Sequence, residues 1–382
     1  MKAVLLYVLL LASSNVALAE NTSTAPAMTK ALLGEKLFAD VNLSQNRTQS
    51  CSSCHNPAHG FVDNRATQVE QAVSLGADGK SLGDRNAPTA AYAKFSPDFH
   101  QNKKGEHIGG QFLDGREKNL AGQAGGPPIN PVEMGMPDKI SVVERIKENA
   151  EYVTAFKQLF GESIFEKPET AYAAMTESLG EFEKTDVFAP FDSKYDRYLK
   201  GKVELTDQES LGESLFFSNQ FTNCNRCHQL KTFPGSDGET FSNYQYHNLG
   251  VPTNVAVRAA NGKPKDFVDH GLLENPEVTE PQHDGKFKVS TLRNVAVTAP
   301  YMHNGVFNDL RTVVLFYDKF NNSERQLNPE TGKPWDVPEV DKNLALNAEE
   351  FQVPALKDKE VDALVAFMKT LTDQRYEHLL GK

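Results

Sequence analysis

Apolar residues recur at helical spacing in four separated stretches of the chain, and these fall into two matching pairs. In TKALLGEKLFAD (29–40) Leu33 and Leu37 stand four apart, as do Leu211 and Leu215 in DQESLGESLFFS (207–218). Both stretches contain LGE-x-LF, an internal repeat. Thr206, with Asp207 and Glu209 behind it, forms a capping-box start for the second. The other pair closes each half. Pro168 occupies a first-turn position ahead of Tyr172, Met175, Leu179 and Phe182. Val361, Leu364, Val365, Met368 and Leu371 recur at i, i+3, i+4, i+7 and i+10. Between the predicted helices, GADGKSLGDRNAPT (76–89), AGQAGGPPINP (121–131) and NGKPKD (261–266) read as irregular loops. No βαβ pattern or run of alternating strands appears, so the expected class is mainly α with long loops.

A different pattern marks the start of the chain. Lys2 precedes the apolar run AVLLYVLLLA (3–12), then come SSN and the small-residue triplet Ala17-Leu18-Ala19. That order predicts a signal peptide over 1–19, cleaved before Glu20. As a membrane anchor the run is short, and no later segment is apolar enough to span a bilayer. Export to the periplasm is therefore expected. The formal net charge is −11, or −12 once the single charge of Lys2 is removed with the leader. An acidic surface argues against a nucleic-acid role and is compatible with a small basic partner, although such charge is most often only a solvated surface.

The 382 residues suffice for two domains, and the chain holds four cysteines. All four lie in two copies of one pattern, Cys51-Ser-Ser-Cys54-His55 and Cys224-Asn-Arg-Cys227-His228. Disulfides are usual in exported proteins, but cysteines three apart rarely pair structurally, and both pairs would need the same trailing histidine by coincidence. A zinc ribbon places its second C-x-x-C much nearer than the interval from Cys51 to Cys224. C-x-x-C-H is the attachment signature of a c-type haem, with the thiols bonded to the porphyrin and the histidine on the iron. Two covalently held haems follow, one per half. Each half reads as helix, haem motif, loops, helix: a cytochrome c-like domain over 20–187 and a second over 188–382.

Longer motifs surround these two. RNAPT (85–89), FLDGR (112–116), AGQAGGPPINPVEM (121–134), YHNLGVP (246–252) and STLRNVAVTAPYMHNG (290–305), in this order around both haem motifs, resemble the bacterial di-haem cytochrome c peroxidase and MauG family. The resemblance runs from about residue 30 to 372. It implies a peroxidatic N-terminal haem, where hydrogen peroxide is reduced, and a C-terminal haem that handles electrons. His55 and His228 match the proximal ligands and Glu133 the distal acid–base residue; Gln123 and Pro127 or Pro128 match distal-pocket positions. Asn86 (side chain), Thr298 and Pro300 (carbonyls) match a Ca²⁺ site between the haems. Implied partners are a small periplasmic cytochrome c or cupredoxin, or a protein substrate; a homodimer is left open.

Three positions decide the branch. Ordinary cytochromes use methionine as second iron ligand, and Met302 in APYMHNG offers one. In the peroxidase branch that methionine lies further on, where this chain has Tyr317. MauG-like members carry tyrosine there, a hard anionic donor that lowers the iron potential. Members that need reductive activation carry a histidine in the stretch matching 74–86, and this chain has none. His59 is too close to Cys54 to reach the far face, and His100 and His107 lie beyond the segment. The first haem is therefore expected to be open. Finally, Leu113 replaces a tryptophan usual between the haems; the only tryptophan is Trp335. A purely electron-carrying protein, with both irons blocked, and an O₂-dependent oxygenase are the competing classes.

Overall fold

A computed structural model describes residues 27–381 apart from 232, 234, 349 and 350. The predicted leader lies outside the described residues. Helices and short 3₁₀ turns dominate, and strands are confined to three two-residue pairings. The mainly α reading holds, with the loops as long as the sequence suggested.

Two helix crossings organise the chain. Lys30–Phe38 packs on Pro168–Glu183, and Asp207–Phe216 packs on Asp358–Lys369. The repeated LGE-x-LF makes both possible. A Cβ on Gly34 would sit 2.6 Å from the Ser178 carbonyl carbon and 2.9 Å from Phe182 Cβ; on Gly212 it would sit 2.6 Å from the Ala363 carbonyl carbon and 2.8 Å from Phe367 Cβ. Only glycine lets backbone meet backbone this closely. Thr206 caps its helix as predicted, accepting from the Glu209 N–H while Glu209 accepts from the Thr206 N–H.

The repeat is not symmetric in burial. Leu33 is fully buried, whereas Leu211 is 40% exposed. Helix Ala150–Phe160 also lies against Lys30–Phe38 and packs Tyr152 and Phe156 into the first core, while Asp207–Phe216 packs broadly only on Asp358–Lys369. The first cluster of buried side chains runs in sequence from Leu33 to Ala189 and the second from Tyr195 to Leu371.

Polar groups brace the second cluster and tie it to the first. Arg293 and Asp196, 1% and 0% exposed, form a bidentate ion pair, and Arg293 also donates to the Glu239 carbonyl. From the first half the Tyr92 hydroxyl donates to Asp373, 2.5 Å away. The C-terminal turn Gln374–Leu379 folds back, its Tyr376 hydroxyl reaching the Pro57 carbonyl at 2.8 Å.

Candidate functional site

Each C-x-x-C-H motif opens onto its own cavity of about 330 Å³. Cys51, Cys54 and His55 line the first; Cys224, Cys227 and His228 line the second. None of the four cysteines is in a disulfide, so neither motif closes a disulfide loop. Burial pushes the Cys51 thiol up to about 12, with the carboxylate of Glu183 adding to the shift, and raises Cys224 as well. A site that disfavours thiolate this strongly suits a neutral thioether better than a zinc-bound sulfur.

The two histidines are held alike. His55 Nδ1 lies 3.2 Å from the Phe61 carbonyl and His228 Nδ1 3.1 Å from the Phe241 carbonyl. Both phenylalanines turn their carbonyls inward through left-handed backbone, each at φ 56°. A ring that donates through Nδ1 has its Nε2 left as the iron-binding atom. Burial also lowers the proton affinity of both rings, that of His228 to about 4, which keeps them in the neutral form that binds metal. Paired thiols, an oriented imidazole and an enclosing cavity recur twice, and the residues present fit a c-type haem in each half.

Among the residues lining the first cavity His55 is the only histidine. Ser74 and residues 83–86 form part of its wall, so the stretch that lacks a histidine passes close by. His59, His100 and His107 are absent from that wall. The one thioether on it, Met134, is 3% exposed and packed in the first core. Opposite chemistry gathers in a loop cluster: Gln123 from helix Leu120–Ala124, Pro127, Glu133 and Arg116. Of the two prolines in that loop, Pro127 lines the cavity and Pro128 does not. Glu133 is fixed through its backbone, its N–H on the Asn130 carbonyl and its own carbonyl receiving the Ala77 N–H at 2.7 Å. Burial raises the proton affinity of its carboxyl, while Arg116 and Asn130 pull the other way.

The sequence reading passed over Glu183, the last residue of helix Pro168–Glu183. It lines the same cavity, is 7% exposed, and is pushed up to about 8 by burial alone. Only the tertiary fold buries this carboxyl; its helix position carries no such signal.

The second cavity contains several ligand-type side chains. Tyr301 donates its hydroxyl to the Val295 carbonyl at 3.0 Å, Met368 is a core residue, and His303 stacks on Phe287 with ring centres 3.7 Å apart. Met302 lines the wall from a left-handed position, φ 71°. Tyr317, on helix Leu310–Asp318, lines it too; its hydroxyl makes no hydrogen bond among the described residues, and Cys227 and Cys224 act on it electrostatically. Burial drives its proton affinity well above the usual phenol range.

Leu113 is 8% exposed and lines both cavities, as do residues 86–89 and Asp269. Trp335 is elsewhere, edge-on to Phe307 and Phe316. Thr298 and Pro300 line the second cavity alongside Asn86. Asn86 Nδ2 donates to the Ala72 carbonyl at 3.1 Å and its N–H to the His303 carbonyl at 2.7 Å.

Comparison with known proteins accords with this geometry. Residues 28–204 match the family model described as di-haem cytochrome c peroxidase. The methylamine utilization protein MauG of Paracoccus denitrificans is 50% identical over 352 residues, 92% of this chain and 90% of that protein. The cytochrome c551 peroxidase of Pseudomonas aeruginosa is 32% identical over 284 residues, 74% of this chain and 69% of its own. The crystal structure of the diheme peroxidase BthA from Burkholderia thailandensis superposes with a TM-score of 0.83 at 32% identity, covering 94% of this chain and 89% of that one.

Proposed function

The chain belongs to the di-haem cytochrome c peroxidase and MauG family, and from that premise we propose that it is a periplasmic oxidoreductase that consumes hydrogen peroxide in its first cavity. Two c-type haems follow from the family; Cys51, Cys54 and His55 would hold one, and Cys224, Cys227 and His228 the other. The units 20–187 and 188–382 would each carry one. When bound, the haems supply redox-active iron that accepts peroxide oxygen and passes electrons. One observation carries the reading: the cavity whose wall holds a single histidine also carries Glu133, half-buried and fixed through its backbone.

Glu133 is the acid–base group. Its raised proton affinity brings it nearer to working pH, where a carboxylate both takes and returns a proton efficiently. It moves a proton from one peroxide oxygen to the other, so that one oxygen departs as water. Gln123 is placed to orient the peroxide from the same wall, and Arg116 keeps Glu133 ionisable against its burial. Each peroxide takes two electrons and two protons and yields two waters.

The second cavity would hold the haem that relays electrons, with His228 and Tyr317 as the residues that would bind its iron. The source of those electrons is a small cytochrome c or cupredoxin, or the Trp or Tyr side chains of a partner protein. Tyr317 favours the latter, MauG-like reading, because an anionic oxygen ligand lowers the potential and suits the iron to holding oxidising equivalents. The 50% identity to a methylamine utilization protein supports the same choice. Asn86, Thr298 and Pro300 offer neutral oxygens of the kind Ca²⁺ takes, and we assign them that ion.

The test is stopped-flow mixing of the as-isolated diferric holoprotein with hydrogen peroxide. The Soret band should change promptly without prior reduction, and Glu133→Gln should slow the reaction by ~10²–10⁴-fold. A resting enzyme inert until reduced, or a variant as fast as wild type, refutes the reading.

A further inference from the structure

Away from both cavities three ligand-type side chains converge without a stated purpose. His107 stands on strand His107–Ile108, His283 on the turn Pro281–His283, and Glu280 just before that turn. One ligand atom from each lies within 4.8 Å of the others. His107 is 9% exposed and His283 8%. Both ring nitrogens of His107 are buried with no hydrogen-bond partner among the described residues. An imidazole buried this way forfeits its water without recompense, and protein structures seldom leave such groups unpaired.

We propose that His107, His283 and Glu280 form a binding site for a divalent transition-metal cation of the Zn²⁺ or Cu²⁺ type, distinct from the haem irons and from the Ca²⁺ position. Two imidazoles and a carboxylate are the donor set such ions prefer over Ca²⁺ or Mg²⁺. Two ligands bonded at ~2.1 Å lie at most about 4.2 Å apart. The trio is therefore nearly closed already, and the exposed Glu280 carboxylate can swing the remainder.

The rings are held for this. Phe99 stacks on the face of His107, ring centres 5.4 Å apart and 5° from parallel, and His283 meets it edge-on at 4.8 Å. Lys286 Nζ lies 3.5 Å from Nδ1 of His283. While the ammonium donates there the neutral ring's proton sits on Nε2, so a bound ion must displace either that contact or that proton, and the ammonium limits its affinity. Glu277 and Glu280 both act electrostatically on His107 and offset that charge.

The ligands come from segments far apart in sequence. His107 precedes Gln111, on the wall of the first cavity, and His283 precedes Gly285, on the wall of the second. A bound ion would clip one wall to the other.

The test is equilibrium dialysis of the chelator-treated holoprotein against Zn²⁺, with zinc counted separately from haem iron, and thermal melts with and without Zn²⁺. One zinc per chain is expected, with a melting temperature that rises with zinc concentration as linkage requires. Glu280→Gln should weaken binding roughly tenfold and His283→Gln about a hundredfold, with the zinc-induced rise in melting temperature shrinking accordingly. Glu280 is exposed, so its variant leaves the fold undisturbed, and unchanged Soret spectra verify folding in both. No zinc bound by wild type, or zinc bound with wild-type affinity by either variant, overturns the assignment.

Discussion

Gly212 is the position where one added carbon tells most about how the second haem cavity is built. Its alanine Cβ would lie 2.6 Å from the Ala363 carbonyl carbon and 2.8 Å from Phe367 Cβ, against 3.4–4 Å for ordinary contact. The obstacle is backbone and cannot rotate aside, so the two helices must part by roughly 1 Å, an overpacking that costs about 1–3 kcal/mol. A rigid obstacle belongs at the top of that range. Against it stands the helix preference of alanine over glycine, about 1 kcal/mol. The net loss is about 2 kcal/mol, or about 4–8 °C in melting temperature for a unit of 150–250 residues. Phe216, Leu364 and Met368, carried by these two helices, line the second cavity, so the same variant should broaden or shift the spectrum of the second haem and spare the first. Thermal melts and Soret spectra of the holoprotein measure both. Gly34→Ala is the twin for the first half, and Gln208→Ala, on the exposed start of the same helix, should change stability by no more than about 0.5 kcal/mol. A Gly212→Ala protein that melts at or above wild type refutes the argument, since helix preference would then outweigh the close approach.

Two further outcomes follow from buried oxygens. Tyr317→Phe removes a hydroxyl that has no hydrogen bond to lose, so the fold should hold while the spectrum changes and the potential of the second haem rises; spectroelectrochemical titration reads this, and unchanged values remove Tyr317 as ligand. Glu183 is an acid whose affinity for its proton is raised in the folded state, to about 8 from 4.5. Its contribution to stability is therefore full below pH 4.5, declines as pH rises, and is gone above about 8. Denaturant titrations of wild type and Glu183→Gln across that window should show the variant gaining on wild type by several kcal/mol; parallel curves would show that Glu183 is not buried as an acid.

What could be read along the chain was chemistry packed into one or two turns. Two thiols and a histidine within five residues announce their haem wherever the chain goes, and LGE-x-LF, Thr206 and Pro168 declare helices by spacing and caps. Helices Lys139–Lys147 and Ala150–Phe160 were missed, although Asp138 and Asn149 cap them and Val142, Val143, Ile146 and Tyr152, Ala155, Phe156 form their buried faces. The neighbouring Gly- and Pro-rich loop masked that signal. Leu211 repeats Leu33 in the sequence, but burial depends on what packs over a side chain, and the second half has less to offer there.

Sequence alone determined the two C-x-x-C-H motifs that the proposed haem attachment rests on, the helical class and the missing histidine in 74–86, because each is a property of neighbouring residues. Folding decided the rest. It turned the Phe61 and Phe241 carbonyls onto the histidines, set Leu113 on the walls of both cavities, buried Glu183 beside Cys51, and brought His107 to His283 and Glu280. Those relations join residues that are distant along the backbone, and proton affinity and coordination answer to distance through space and exclusion of water.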